Sequence, residues 1–512
     1  MVESKSDKLT AKEAGILLIS VCIVGFCTII YELLIGAVSS YFLGDSIKQF
    51  SIVIGLSMTS MGIGTLISRF ITKHLISIFA GVEILLAIIG GFSVPILYFA
   101  YMSETFYYPI MCLTILAIGT LIGLEIPILT RIMETYYDLK SNISNVLSLD
   151  YLGSFAATLV FPFIMVPFLG LFNTSVATGM LNLIVGGINI YWFQNRLLKR
   201  QKTKLYISSA LVCIGLIGMF IYSSNVVKFW EKSIYNDRVF YSKKTQYQQL
   251  VMTKRKDDLR LYIDGNVQFS SIDEFRYHEL LTHIPLSIVA NRDNVIILGG
   301  GDGLAAREIL KYKDVKKITL VDLDPAMTEL SKNDKHISKL NEGSLSNPKV
   351  HIVNDDAYKY IEECNEYFDV IIIDLPDPNN TALARLYSKE FYQNVKNHLS
   401  KTGIIVTQAS SPFFSPEAFW CINETIKSAG FEHTYPYHGY VPSFGDWGFV
   451  MASNINYDVN KFKLTVKTKY LTEDVFRSSF VFGKDLMREN IKPSTLDRPT
   501  ISEYYLSGWK YW

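Results

Sequence analysis

Apolar positions run together along the first 224 residues and alternate with polar ones along the rest. Seven apolar runs are evident, at 15–43, 50–71, 75–101, 106–129, 146–170, 174–193 and 205–223. Each is about long enough to cross ~30 Å of hydrocarbon as a helix. Backbone groups in lipid must bond within their own segment, so the pattern predicts a membrane α-helical bundle of about seven helices. A linker is expected over 224–241. Short alternating segments follow at 249–254, 259–263 and 266–269, with a tight hairpin at Ile263-Asp264-Gly265-Asn266. They predict a small antiparallel β-sheet. From Asn294 the period changes again. Strands at 295–298, 318–321, 350–353, 370–373 and 404–407 alternate with helical stretches at 304–312, 325–335, 357–364, 388–399 and 415–429. That order predicts a soluble α/β domain, doubly wound and Rossmann-like, with a mostly parallel sheet. The chain thus divides into a multi-pass transmembrane domain (1–224), a linker with a small antiparallel β subdomain (225–290), a Rossmann-like domain (291–453) and a C-terminal tail (454–512) in which no chemistry is legible.

Charge sharpens this division. Residues 15–224 carry 18 charged side chains in 210, whereas residues 225–512 carry 73 in 288. The second density is ordinary for a domain in water and the first is not. With 49% hydrophobic residues and a net charge of +1, disorder and nucleic-acid binding through bulk charge are both excluded. The first run is too long for a signal peptide, lacks a small-residue cleavage pattern, and is followed by six more. Lys5, Lys8 and Lys12 precede it. Arg69, Lys73, Arg131, Lys140, Arg196, Lys199, Arg200, Lys202 and Lys204 lie in alternate loops, and the opposite loops offer only Lys48. The N-terminus is therefore expected in the cytoplasm. Seven crossings would then place the C-terminal half outside. Cys22, Cys27, Cys112, Cys213, Cys364 and Cys421 form no CxxC or Cys/His spacing, so neither a metal site nor a disulfide framework is indicated. Four acids, Glu32, Glu83, Glu125 and Asp150, lie within or at the ends of the apolar runs. They either cap, snorkel or pair inside the bundle, or they line an ion or polyamine pathway.

Candidate chemistry gathers at the carboxyl ends of the strands, where doubly wound sheets bind ligands. Strand 295–298 leads into Gly299-Gly300-Gly301-Asp302-Gly303, and Gly301-x-Gly303-x-x-Ala306 satisfies the loose dinucleotide pattern. Asp302 changes its meaning, because a carboxylate in that turn repels a pyrophosphate and favours a cation. Asp322, 21 residues after Gly301, suits the hydroxyls of a ribose; the plainer alternative is a helix cap. Asp356 either accepts from an adenine amino group, or caps the next helix, or does both. In Asp374-Leu375-Pro376-Asp377-Pro378 the prolines break regular structure and two more acids project over the cleft. Three carboxylates facing one site, Asp302, Asp374 and Asp377, suit a polycation.

Residues 246–453 resemble the polyamine aminopropyltransferases, the spermidine and spermine synthases. The resemblance lies in a series of motifs in order: Tyr247-Gln248, then Leu261 to Gln268, then Asp273-Glu274-Phe275-Arg276-Tyr277-His278-Glu279. After these come the glycine loop, Asp322, Asp356-Ala357, Asp374 to Pro378, Gln408-Ala409-Ser410-Ser411-Pro412, Tyr440 to Gly445 and Trp447-Gly448-Phe449. Membrane-anchored bacterial members with such an apolar half exist. The resemblance implies transfer of the 3-aminopropyl group of decarboxylated S-adenosylmethionine to a polyamine, leaving 5′-methylthioadenosine, with putrescine as the expected acceptor. It implies no cofactor, the donor being a co-substrate. It implies Asp374 as general base, Asp302 on the donor's amine and Asp377 on the acceptor. Gln248, Asp322, Asp356 and Ala357 would bind the nucleoside and thioether. Tyr277 and His278 would line the polyamine channel, and Tyr440 would position the attacking amine; Gln268 is a weaker carry-over.

Two departures stand out. Asn379-Asn380-Thr381-Ala382-Leu383 replaces the family's x-Gly-Pro after Asp-Pro, and Asp322 stands where glutamate is common. The expected partners are the polyamine, the sulfonium donor and membrane lipid, with no nucleic acid; a homo-oligomer is compatible. The expected location is the cell membrane, with cytoplasmic catalysis on chemical grounds and the opposite side on charge bias. Competing readings are a methyltransferase using S-adenosylmethionine and a polyamine sensor or transporter without turnover. A dinucleotide oxidoreductase is opposed by Asp302.

Overall fold

The structure, a computed structural model, describes residues 9–43, 46–102, 104–235 and 237–509. Lys5 and Lys8 lie outside the described residues. The chain forms two compact units, divided between Asn236 and Asp237.

The first unit is helical: α1 (Ala11–Leu43), α2 (Ser46–Ser68), α3 (Leu75–Gly91), α4 (Ser93–Tyr101), α5 (Glu104–Met133), α6 (Leu139–Val160), α7 (Val166–Trp192) and α8 (Lys199–Ile234). Among the described residues, six helices are long and apolar enough to cross a membrane. The fifth, Leu139–Trp192, joins two of the expected runs into 54 residues. It passes through a π-helical turn at Phe161–Met165 and breaks at Gly170 (φ 72°, ψ 172°), a conformation glycine adopts without Cβ strain. Its two parts pack against different partners, α6 on α1 and α7 on α3. The run 75–101 is likewise interrupted, at Phe92. Small residues set the closest helix contacts: a Cβ on Gly64 would strike the Thr120 carbonyl, and one on Gly123 the Met61 carbonyl. Large apolar side chains cover the exterior, with Phe70, Leu113, Phe163 and Phe168 all more than 60% exposed. In water such a surface would aggregate; against lipid it costs nothing.

The expected linker is mostly absent. Residues 224–234 extend α8, because Asn225-Val226-Val227-Lys228 holds no proline or glycine to stop a helix. Residues 238–244 form a strand that the sequence reading missed.

The second unit opens with an antiparallel sheet in the order β1 (Arg238–Lys244), β2 (Gln249–Arg255), β3 (Asp258–Ile263) and β4 (Asn266–Ser270). Asp264 and Gly265 both take positive φ in the expected hairpin, as a two-residue turn requires. After α9 (Glu274–Ile288) come β5 (Asn294–Gly299), α10 (Leu304–Ile309), β6 (Lys317–Asp322), α11 (Pro325–Asn333), α12 (Lys335–Leu340), β7 (Val350–Asn354), α13 (Ala357–Glu363) and β8 (Phe368–Asp374). The chain continues through α14 (Thr381–Ala384), α15 (Lys389–Asn397), β9 (Leu399–Gln408), α16 (Pro416–Ser428), β10 (His433–Val441), β11 (Gly445–Ser453), α17 (Glu473–Ser479) and α18 (Thr500–Trp509). The helix expected over 325–335 is two, because Asp334 is extended and caps a new turn through His336 N–H.

The seven-stranded sheet has the order β10-β11-β9-β8-β5-β6-β7. Strands β5 to β9 are parallel and the last two antiparallel. Its central strands are buried on both faces: Val295 and Ile297 join one hydrophobic cluster, Ile296 and Leu298 the other. The tail belongs to this core, with Phe462, Leu471 and Phe476 in one cluster and Ile501 in the other.

A buried charge network ties α9 to α10. Arg307 donates to both carboxylate oxygens of Glu274 at 2.9 Å and to Glu308 at 2.8 Å, and His283 Nε2 lies 2.8 Å from Glu308. Breaking such a network strands buried charge at a cost of about 3–5 kcal/mol. Arg307→Ala is therefore expected to lower hydrogen-exchange protection across α9 and α10 by that amount; unchanged protection would show that the network is dispensable.

Candidate active site

Parallel pairing sets Gly299 of β5 beside Asp374 of β8, at the point where the strand order reverses. The glycine loop turns there. Gly299 and Gly300 both have positive φ, a Cβ on Gly299 would strike the Asp374 carbonyl, and Gly300 N–H donates to that carbonyl at 3.1 Å. The loop and the end of β8 are thereby fixed against each other.

Four carboxylates ring this point. Asp302 is buried at the start of α10, its Oδ1 accepting from Leu304 N–H at 2.9 Å. Asp374 accepts from the Tyr277 hydroxyl at 2.6 Å. Asp377 accepts from Gln408 Nε2 at 3.1 Å. Asp322 accepts from Gly301 N–H and Asp324 N–H, both at 3.0 Å. The capping alternative for Asp322 is excluded, because Asp324 is the residue that caps α11. Burial raises all four acids, Asp302, Asp322 and Asp377 each to about 6.

One cation faces them. His278, fully buried on α9, sets Nδ1 2.8 Å from the Glu274 carbonyl and 3.0 Å from its carboxylate. Burial alone would depress its pKa; the Glu274 hydrogen bond and the charges of Asp302, Glu274 and Asp374 outweigh that and raise it to about 9. The site thus sets several carboxylates against one histidine and carries an excess of acidic groups.

The other expected residues lie around this centre. Gln248 follows β1 and donates to Asp324 at 3.0 Å rather than to Asp322. Asp356 caps α13, accepting from Tyr358 N–H at 2.9 Å, and also pairs with Arg385; Ala357 opens that helix, buried. Gln268 donates to the Asn266 carbonyl at 3.3 Å within its own strand. Tyr440 is the least assembled: the residue is 58% exposed, paired with Asp446 across β10 and β11, and its carbonyl accepts from Arg276 at 3.2 Å. Asn379–Leu383 is ordered without Gly-Pro, since Asn380 Oδ1 caps Leu383 N–H at 2.9 Å.

The sequence reading missed the tail. Helix α18 lies over this loop. Ser502 donates to the Asn380 carbonyl at 3.3 Å, the Tyr505 hydroxyl lies beside Asp377, and Trp509 stacks on Phe414 with ring centroids 5.0 Å apart. No local pattern around Tyr505 signals this contact across 128 residues.

The chain is similar to several known proteins. Residues 274–463 match the family described as the spermine/spermidine synthase domain. The polyamine aminopropyltransferase of Leptospira interrogans is 40% identical over 494 residues, covering 96% of this chain and 98% of that protein. That of Oceanobacillus iheyensis is 40% identical over 497 residues, covering 95% and 96%. Among solved structures, a spermidine synthase in complex with the transition-state analogue AdoDATO is similar at 30% identity and a TM-score of 0.45, over 48% of this chain and 86% of that one.

The buried acids dictate a pH dependence. Their folded pKa values, about 6, exceed the ordinary carboxylate value of 3.8, so the ligand-free fold holds these protons more tightly than the unfolded chain. The stability they confer is complete below pH 3.8 and lost as pH rises through about 6. A bound cation favours the ionised forms and opposes that loss. Affinity for a cationic ligand should therefore fall about tenfold between pH 7.5 and pH 5. Isothermal titration checks this, and a flat profile would count against the carboxylates as its binding groups.

Proposed function

The chain belongs to the spermine/spermidine synthase family and is a polyamine aminopropyltransferase, and from that premise we propose that it makes spermidine from putrescine, with Asp374 as general base. The observation that carries this is the buried Asp374, held at 2.6 Å by Tyr277 and facing Asp302 beside one imidazolium. The family's donor is decarboxylated S-adenosylmethionine, a sulfonium with a free amine and no phosphate, which suits a site of this sign.

In this reading Asp302 binds the donor's amine. Asp322 takes the ribose hydroxyls, Asp356 and Ala357 the adenine end, and Gln248 the nucleoside. Asp377 binds the acceptor's distal ammonium. Tyr277 and His278 line the channel, and Tyr440 positions the attacking nitrogen once the ligand closes the loop. The attacking amine must be neutral, although a free alkylammonium has a pKa near that of lysine, ~10.4. Its lone pair forms the new C–N bond to the carbon next to sulfur. The C–S bond breaks, its electron pair goes to sulfur, and the neutral thioether leaves as methylthioadenosine. The proton on nitrogen passes to Asp374. Burial raises that acid, which makes its protonated form more accessible than that of a surface carboxylate.

The helical unit, with an apolar exterior and six candidate spans, is read as a multi-pass membrane domain.

Supplied with decarboxylated S-adenosylmethionine and, separately, putrescine, cadaverine or spermidine, the purified chain is expected to make spermidine and methylthioadenosine from putrescine. Asp374→Asn should lower kcat by about 10²–10⁴-fold. Product from the other amines alone would overturn the acceptor, and an undiminished variant would overturn the base. Tyr505→Phe removes the hydroxyl beside Asp377 and is expected to raise KM for the amine several-fold with kcat nearly unchanged; an equal fall in kcat would place Tyr505 in the chemistry instead.

A further inference from the structure

The helical unit holds a second cluster of acids, which the transferase chemistry does not use. Glu83 of α3 and Glu125 of α5 are both fully buried, at 0% and 1% exposure, with their carboxyls within hydrogen-bonding reach of each other. Glu83 accepts from Asn182 Nδ2 of α7 at 2.8 Å, and Asn182 in turn accepts from the Tyr31 hydroxyl of α1 at 2.7 Å. The Oε1 atoms of both glutamates are buried, and no backbone, amide or hydroxyl donor reaches them. Cys27 of α1 and Asp150 of α6 are the other titratable groups near the pair, and Glu32 sits beside Tyr31 on α1 next to Ser57 of α2. Among the described residues, neither glutamate has an ion-pair partner: Arg196 is held by Glu13, and Arg131 by the carbonyls of Ser68, Ile71 and Pro127.

Two adjacent carboxyls in an apolar interior cannot both ionise without a cation, so the cation-free pair holds at least one proton. An alkylammonium group offers the same charge. If it displaces one proton, the net charge of the site is unchanged, and the Oε1 atoms, which no other group in the bundle supplies with a hydrogen bond, gain its N–H donors. The helices beside the pair are interrupted: α3 ends at Phe92, α7 is broken at Gly170, and Ser175, one turn beyond that break, donates to the Gly91 carbonyl at 3.2 Å. Interrupted helices beside a buried charged site are how membrane bundles carry ions.

We infer that the Glu83–Glu125 pair is a binding site for one alkylammonium end of a linear amine, taken up in exchange for one proton, so that the helical unit moves across the membrane the class of cation its partner unit uses. The inference rests on the membrane and aminopropyltransferase readings above, and its test separates the three. The full chain is reconstituted into liposomes, and uptake of radiolabelled putrescine and spermidine is followed against an outward proton gradient, with no donor present. Amine uptake at least tenfold above empty liposomes, with matching proton efflux, is expected. Glu125→Gln and Glu83→Gln should abolish it while transferase activity in detergent stays at the parental level. No uptake by active enzyme, uptake unchanged in both variants, or proton movement that amines do not affect would each overturn it. Failure of the transferase reading would show separately, as absence of product in detergent. In the parental chain, labelling of Glu83 and Glu125 by a hydrophobic carbodiimide should be suppressed by millimolar putrescine; undiminished labelling would overturn the site even if a variant misfolds.

Discussion

The active site depends on the cost of burying negative charge. Asp302, Asp322, Asp374 and Asp377 end up out of water at one edge of a parallel sheet, where each carboxylate is penalised by desolvation and by its neighbours. The fold offsets that cost with one internal cation, His278, and with hydrogen bonds from Tyr277, Gln408 and the glycine-loop amides. What it leaves uncompensated is an excess of buried acidic groups over the one cation beside them. The Glu274–Arg307–Glu308–His283 network follows from the same constraint, since His278 can hold its charge and position only if Glu274 is itself held.

The helical unit meets the same problem with different means. Its two central glutamates lack any ion-pair partner among the described residues. Where the α/β unit brings a histidine, the bundle brings Asn182, held in turn by Tyr31.

Helix α18 shows how a departure from a family pattern is accommodated. The segment Asn379–Leu383 lacks Gly-Pro, yet a local asparagine cap and a roof from the C-terminal helix still order it. The tail is thus part of the enzyme's wall, and Tyr505 reaches an acid that the rest of the domain supports only through Gln408.

Much of this was determined by sequence alone, because the relevant physics is local. Apolar runs of spanning length, the Asp264-Gly265 hairpin and the alternation of strand and helix from Asn294 depend on periodicity and turn chemistry within a few residues. The acids at strand ends were also legible, since a parallel sheet must bind at its carboxyl edge. Tertiary structure decided whatever depends on contacts between distant segments. It broke the long helix at Gly170 and extended α8 through the expected linker. It moved Gln248 to Asp324, assigned the capping role to Asp324 and freed Asp322 for the loop, joined Tyr277 to Asp374, and brought Tyr505 to Asp377. It also set Glu83 against Glu125, 42 residues apart in sequence, where neither spacing nor composition could pair them. A side chain's local pattern fixes the face it occupies, but its charge state and partner are set by what the rest of the chain packs against that face.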